Sequence, residues 1–346
     1  MYNIDMSKNK NKKRITMKTS RFGEFGLVIA NSHPSLGLEV AKKLGVTPLE
    51  IESKSFANNE LDIRRLCDVS GKDICIFSSL HSRYDTIKEL RLICNSIKGS
   101  AARVFGVFPF VRDGKSDHVK RFGETVAYKD VAMEISSSGL EVIAIFDQHS
   151  SQHPSFYDTT HYRLRTVHHV YLMRILIEYA IKHSGEFDSV LALDDGGFKR
   201  NKKIAELLNK DVSFIIKERD SSTRKINIEK SKIIGNIKGQ KVVAFDDMLQ
   251  NGGTLEAGAK IAKYNGAKEI SFFLVHNDFS DETFDRVNPL LENGTINKIF
   301  ILETIPLQNK EKWHKNLIVI SPADFIAEVI KRIHEEDHMR NLFLEL

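Results

Sequence analysis

The stretch Lys241-Val-Val-Ala-Phe-Asp246-Asp247-Met-Leu-Gln250-Asn251-Gly252-Gly253-Thr254-Leu255 decides how this chain is read. A buried strand, Lys241–Phe245, delivers two adjacent carboxylates at its tip, and a glycine pair then opens an amphipathic helix, Thr254–Tyr264. Gly252 and Gly253 let the backbone turn tightly and approach a ligand. The N–H groups at the helix start, with the Thr254 hydroxyl, form a phosphate cradle. The paired carboxylates suit vicinal sugar hydroxyls, because each accepts a charge-assisted hydrogen bond. Cradle and clamp together point to a sugar phosphate at Asp246, Asp247, Gln250, Asn251, Gly252, Gly253 and Thr254. An ordinary helix cap rarely needs Asp-Asp and Gly-Gly together.

Outward from this loop, short β-branched or aromatic runs alternate with longer amphipathic ones. Gly26–Ala30, Ile74–Ser78, Arg103–Phe108 and Glu141–Phe146 read as strands; Ser35–Leu44, Tyr84–Ser96 and Val126–Ser138 read as helices. After a break near Ser150–Thr166 a second series follows: helices over Val167–His183 and Arg200–Leu208, strands over Ser189–Leu193, Val212–Ile216, Glu269–Val275 and Lys298–Leu302, and a closing helix over Ala323–His334. Such alternation predicts an α/β fold with parallel sheets flanked by helices. Ligands in such sheets sit beyond the carboxyl ends of strands, where the strand order reverses. The expected organisation is a basic, disordered arm over 1–24, an N-terminal α/β domain over 25–165, a C-terminal one over 166–310, and a segment 311–346 that packs back on the N-terminal domain.

The 346 residues carry 51 basic and 46 acidic side chains, a net charge of +5. Residues 1–25 hold seven basic groups (Lys8, Lys10, Lys12, Lys13, Arg14, Lys18, Arg21) and two acidic ones, so the remaining 321 residues balance at 44 of each. The body is neutral, which argues against nucleic acid as a partner except through residues 8–21. Val104–Val111, the most apolar run, is too short for a membrane span. The charged N-terminus lacks the apolar core of a secretory signal. Three cysteines without CxxC spacing fit a reducing, cytoplasmic setting. No GxxxxGK[ST] or strand-borne GxGxxG is present.

The Asp-Asp-x-x-x-x-Gly-Gly-Thr loop resembles the ribose-phosphate loop of type I phosphoribosyltransferases, and specifically that of the ribose-phosphate pyrophosphokinase family. Phe56-Ala-Asn-Asn-Glu60 resembles the family's Phe-Ser-Asp-Gly-Glu, Asp68–Asp73 its Asn-Val-Arg-Gly-Lys-Asp, and Asp147-Gln-His149-Ser-Ser-Gln152 its Asp-Leu-His-x-x-Gln. Asp194-Asp-Gly-Gly-Phe-Lys199-Arg200 resembles Asp-x-Gly-Gly-x-Lys-Arg; Lys217-Glu-Arg219 and Thr304-Ile-Pro306 also match. The blocks keep the family's order from about Phe25 to Phe343.

The resemblance implies two tandem phosphoribosyltransferase-like domains. It implies transfer of the diphosphoryl group of ATP to the C1 hydroxyl of ribose 5-phosphate, giving phosphoribosyl diphosphate and AMP. Lys217 and Arg219, just after the strand Val212–Ile216, would belong to a mobile catalytic loop that opens the polar stretch Asp220–Lys232 and closes over the phosphates. His149 and Asp194 would surround Mg²⁺, which keeps several waters and favours oxygen ligands. Phe56, Asn58 and Glu60 from a neighbouring subunit, with Lys115, Ser116 and Asp117, would bind ATP. A homo-oligomer built from dimers, up to a hexamer, follows. His153, four residues from His149, has no third ligand nearby and is read as structural.

Four departures stand out. Gln250 replaces an Asp and Asn251 a Thr in the ribose-phosphate loop; Asn58 and Asn59 replace Asp-Gly; Lys115-Ser116 replaces Arg-Gln, losing a planar fork; and Phe110–Gly123 is about one residue short. Loss of a carboxylate that acts as a base costs roughly 10²–10⁴ in rate. The alternative reading is therefore a catalytically weak or inactive paralogue that regulates an active synthetase. A phosphoribosyltransferase normally needs one such α/β unit rather than two.

Overall fold

The computed structural model describes residues 17–58, 60–219 and 226–342. From β1 (Phe25–Ile29) the chain passes through α1 (Pro34–Leu44), forms an antiparallel hairpin of β2 (Ile51–Ser55) and β3 (Leu61–Arg65), and returns as β4 (Asp73–Phe77). Then follow α2 (Thr86–Ile97), β5 (Arg103–Phe108), α3 (Ala127–Ser136), β6 (Val142–Phe146) and β7 (Thr166–Val170). The first sheet is parallel, in the order β1-β4-β5-β6-β7.

α4 (Met173–Lys182) leads to β8 (Ser189–Ala192), α5 (Asp195–Leu208), β9 (Asp211–Arg219), β10 (Ile226–Ile234), β11 (Lys241–Met248), α6 (Gly253–Tyr264), β12 (Glu269–His276), α7 (Asp281–Glu292), β13 (Lys298–Leu302), β14 (Leu317–Ile320) and α8 (Ala323–Glu335). The second sheet runs β10-β9-β8-β11-β12-β13-β14, with β10 alone antiparallel to its neighbour. Two parallel sheets flanked by helices make this the α/β fold expected from the alternation.

Local chemistry explains the boundaries. Pro34 opens α1, whose Leu36 N–H donates to the His33 ring; Asp85 caps α2 through the Lys88 N–H at 3.0 Å; Asp194 caps α5 through the Gly197 N–H at 2.9 Å. The central strands are buried on both faces, as helix-covered parallel strands must be. One core runs from Phe77, Phe105 and Phe146 of the first sheet, through α1, α4 and α8, to the stacked Phe245, Phe273 and Phe300 of the second. Separate cores fill the far faces, under α2 and α3 on one sheet and under α6 and α7 on the other.

Several elements differ from expectation. Thr166–Val170, read as the start of a helix, is the fifth strand of the first sheet and lies beyond the boundary placed at 165. Three of its five residues, Thr166, Val167 and Val170, are β-branched, and the helix begins only at Met173, where the Asp147 carboxylate accepts the Leu172 and Met173 N–H groups. The segment after 310 divides its allegiance: β14 joins the second sheet, while α8 packs on α1. Residues 17–24, expected within the disordered arm, are tied to α8 and the turn after it. Lys18 donates its N–H to Glu335 and accepts from His334, and Arg21 pairs with Glu336 at 2.5 Å. Residues 1–16 lie outside the described residues.

α8 is held by a buried triad. Asp73 takes both Arg103 Nε (2.8 Å) and Nη2 (2.6 Å), and its Oδ2 lies 2.7 Å from His334 Nδ1; Arg103 also donates to the Ile333 carbonyl and stacks over Phe22. Every polar atom taken from water here finds a partner, the condition under which buried charge is tolerated. Polar contacts also seam the two sheets: Ser79 Oγ donates to the Thr304 carbonyl, His276 Nε2 bonds the Asp147 carbonyl, and His33 Nε2 bonds the Glu303 carbonyl at 3.2 Å. His33 must be neutral to accept from Leu36 on one nitrogen and donate to Glu303 on the other. Burial lowers it from 6.5 to about 4 despite the nearby Glu303 carboxylate.

A titratable seam makes stability depend on pH. Because the folded value lies below the unfolded one, His33 contributes fully above pH 6.5 and loses that contribution as pH falls from 6.5 towards 4. Urea unfolding at pH 7 and pH 5 is expected to show a loss of about 2 kcal/mol from this group at the lower pH. His33→Asn should remove that share of the loss; an unchanged pH dependence contradicts the assignment.

Candidate active site

The order of the second sheet reverses between β8 and β11: the chain builds outward through β9 and β10, then returns to the other side of β8. Such a switch point leaves a crevice beyond the strand ends, because the connections depart in opposite directions. Asp194 leaves the end of β8, Asp246 and Asp247 occupy the end of β11, and the 249–252 loop follows. The expected sugar-phosphate residues and one expected metal residue thus meet in one crevice.

Charge organises it. Arg200, from α5, places Nη2 2.6 Å from Asp246 Oδ1 and 3.7 Å from Asp247 Oδ1. Burial pulls the pKa of this guanidinium down, but the Asp246, Asp247 and Asp147 charges outweigh that and raise it above its ordinary value. Asp247 Oδ2 lies 2.6 Å from His149 Nδ1, joining the first sheet's strand end to the second's. This bond is the main cause of a raised His149 pKa, and with Arg200 it holds Asp247 well below the usual carboxylate range against its burial. Asp246 moves upward, through burial and then through the Asp247 charge beside it. Two neighbouring carboxylates in one buried site thus acquire opposite tendencies.

Lys217 and Arg219 belong to β9 rather than to a loop after it, and β10 resumes at Ile226. The hydrophobic alternation Ile226, Ile228, Ile233 and Ile234 carries the polar stretch into an edge strand. Lys217 Nζ already lies 3.6 Å from Asp194 Oδ2. Residues 220–225 fall outside the described residues. The helix after Asp194 starts five residues earlier than expected, so Gly196 and Gly197 sit in its first turn, where the Gly197 N–H donates to the Asp194 cap.

A cleft of about 400 Å³ lies over the glycine loop, lined by Asp246, Gln250, Asn251, Gly252 and Thr254. Gly252 has φ 78°, and a Cβ there would meet Val287 Cγ2 at 2.8 Å, so both conformation and space require glycine. Asn251 Oδ1 accepts the Gly253 N–H at 3.1 Å. Two residues escaped the sequence reading. Arg286 of α7 brings a cation to within 3.0 Å of where a Gly253 Cβ would stand. Asp278, just past β12, accepts from Gln250 Nε2 at 2.8 Å. Trp313 packs against Phe279, which lines this cleft.

A second cleft of about 730 Å³ takes its walls from the first unit, including Arg112, Lys115, Ser116 and Thr125, and shares Ser82, Lys115, Met248, Gln250 and Asp278 with the first. Lys115 and Ser116 thus stand where a second ligand would lie. Asp117 does not line it; Asp117 is bound by His153 Nε2 at 3.1 Å and His118 Nδ1 at 2.6 Å. His153 is structural, as expected, and fastens the 110–123 segment to the chain after β6. Phe56, Asn58 and Glu60 sit at the tip of the β2–β3 hairpin and line neither cleft of their own chain; Phe56 is exposed and Glu60 N–H donates to Asn58 Oδ1.

Residues 25–139 match the N-terminal domain of ribose phosphate pyrophosphokinase, and residues 174–344 match the phosphoribosyl synthetase-associated domain. The ribose-phosphate pyrophosphokinase of Clostridium acetobutylicum is 30% identical over 320 residues, covering 91% of this chain and 96% of that protein. The chain belongs to the ribose-phosphate pyrophosphokinase family. The pyrophosphokinase of Gloeobacter violaceus is 29% identical over 92% of both chains. The crystal structure of phosphoribosylpyrophosphate synthetase from Mycobacterium smegmatis superposes with a TM-score of 0.80 at 25% identity, over 90% of this chain and 99% of that one. Of the motifs quoted from the sequence, those carrying His149, Asp194, Arg200, Lys217 and Asp246–Asp247 meet in this crevice, while Phe56–Glu60, Asp68–Asp73 and Thr304–Pro306 lie elsewhere.

Among the described residues no cluster of three or more His, Cys, Asp or Glu side chains is arranged to hold a metal. Asp194 nevertheless keeps a half-exposed carboxylate, and Asp247 engages His149 Nδ1, which leaves Nε2 for a metal-bound water. These residues fit an ion such as Mg²⁺, which takes one or two carboxylates and fills its shell with water and substrate oxygens. Removing the central cation should be costly. Arg200→Met leaves Asp246 and Asp247 facing each other and is expected to lower stability by roughly 3 kcal/mol in urea unfolding at pH 7; a loss below about 1 kcal/mol would show that the carboxylates do not depend on it.

Proposed function

We propose that this chain is a ribose-phosphate diphosphokinase, which transfers the diphosphoryl group of ATP to the C1 hydroxyl of ribose 5-phosphate and releases phosphoribosyl diphosphate and AMP. The observation that carries this reading is the meeting of two clefts at Lys115, Gln250 and Asp278. Transfer between two substrates needs two contiguous clefts; a binding module needs one. The sugar phosphate takes the smaller cleft, with its phosphate on the N–H groups and Thr254 hydroxyl that open α6, near Arg286. ATP takes the larger, against Lys115 and Ser116.

Lys217, whose Nζ lies 3.6 Å from Asp194, offers a cation to the transferring phosphate oxygens, where charge builds during the reaction, and family membership gives Arg219, two residues on, the same role. Asp194 and His149 would hold Mg²⁺, which when bound supplies further charge neutralisation on the phosphates. Asp247 orients His149, and Arg200 holds both carboxylates of β11. The exposed hairpin residues Phe56, Asn58 and Glu60 complete the nucleotide cleft of a neighbouring subunit, so the working form is a homo-oligomer. Among the described residues no helix is long and apolar enough to cross a membrane, and a cytoplasmic setting with free cysteines agrees with this reading.

Incubation with ATP, Mg²⁺ and ribose 5-phosphate, followed by chromatography, is expected to yield AMP only when the sugar phosphate is present. Lys217→Ala should cut the rate by at least about 10²-fold. No AMP above that variant overturns the reading and leaves a non-catalytic subunit, the role that Gln250 and Asn251 would suit.

A further inference from the structure

The glycine loop lacks a carboxylate at position 250, yet the cleft above it does not. β11 and β12 pair in parallel register with Met248 opposite His276. Two residues further along each chain stand Gln250 and Asp278. The register sets them side by side, and Gln250 Nε2 donates to Asp278 Oδ2 at 2.8 Å. The Thr283 hydroxyl bonds the Gln250 carbonyl and Leu249 N–H donates to His276, so the residue that holds Asp278 is itself held. Asp278 Oδ1 has no hydrogen bond among the described residues, and Asp278 lines both clefts.

Position within the crevice separates this carboxylate from the other two. Asp246 is committed to Arg200 and Asp247 to His149. Asp278 makes no ion pair among the described residues, although the Arg83 charge lies within electrostatic reach of it, and it stands where the two clefts join. In any transfer between ligands in these clefts, the attacking hydroxyl and the phosphorus it attacks must meet at that junction.

We propose that Asp278, positioned by Gln250, accepts a hydrogen bond from the attacking C1 hydroxyl of ribose 5-phosphate, and so restores from the neighbouring strand the carboxylate that the loop has lost. The assignment rests on the sugar-phosphate reading of the smaller cleft. It makes Gln250 a positioning residue rather than a defect: its amide donates to Asp278, whereas a carboxylate at 250 would repel it. The two positions are therefore exchangeable as a pair but not singly.

Titration calorimetry with ribose 5-phosphate, and with its 1-deoxy analogue lacking the C1 hydroxyl, tests this on the full-length chain. Compared with the unaltered protein, D278N should bind ribose 5-phosphate about ten-fold more weakly, the usual worth of one charge-assisted hydrogen bond. Its affinity for the 1-deoxy analogue should be unchanged. Q250D should also weaken ribose 5-phosphate, by placing two carboxylates together, and Q250D/D278N should recover affinity to within about three-fold of the unaltered protein. The near-isosteric D278N should keep the thermal unfolding midpoint. An unaltered affinity in D278N, an equal loss for both ligands, a double variant no better than D278N, or no binding of ribose 5-phosphate to the unaltered protein overturns the proposal. Binding that follows the expected pattern without any AMP release above the Lys217→Ala background overturns the diphosphokinase reaction and leaves the Asp278 assignment standing.

Discussion

One guanidinium governs this site. Arg200 enters from the second turn of α5 and meets two carboxylates that consecutive residues of β11 would otherwise hold against each other in a buried crevice. Like charges a few ångströms apart, shielded from water, cannot both ionise without a counter-charge. With Arg200 in place Asp247 stays ionised and can hold His149, and that bond spans 98 residues and both sheets. The joining of the two units at the crevice and the electrostatics within it are therefore the same interaction, seen from two sides.

The remaining architecture keeps that junction rigid. A common apolar core passes from the first sheet to the second beneath α1, α4 and α8, so the units are not free to slide. Above it the polar seam of His33, Ser79, His276 and Thr304 finds a partner for each buried group and penalises any shift. The Asp73–Arg103–His334 triad then pins the last long helix to the starts of β4 and β5. The proposed transfer, which needs two ligands held in precise mutual orientation, gains from such a frame.

Much of this was legible from local pattern. Strand and helix positions followed from hydrophobic period and turn chemistry, and Arg103–Phe108 and Lys298–Leu302 agree to the residue. Errors arose where a side chain distant in sequence set the boundary. Thr166–Val170 became a strand because β6 offered an edge, and its helix waited for the Asp147 cap. Asp117, which the family resemblance implies for ATP, has its carboxylate beside His153, 36 residues away, a partner that spacing along the chain does not reveal. Lys217 and Arg219 looked like loop residues because the hydrophobic run before them ends at Ile216; the partner strand β10 extends their pairing to Arg219.

The sequence by itself determined the chemistry on offer: a strand tipped with Asp246 and Asp247, a loop that only Gly252 can turn, a cap at Asp194, and a neutral body whose excess charge lies in the first 25 residues. These are properties of neighbours along the chain, where propensity and spacing act directly. Tertiary structure decided which groups face one another. The pairing of β11 with β12 set Asp278 beside Gln250, the order of strands placed Asp194 next to β11, and α7 brought Arg286 to the loop. Such contacts depend on sheet register and strand order, which no local pattern encodes, because a side chain's partner across a sheet is fixed by the pairing of whole strands rather than by its own neighbours.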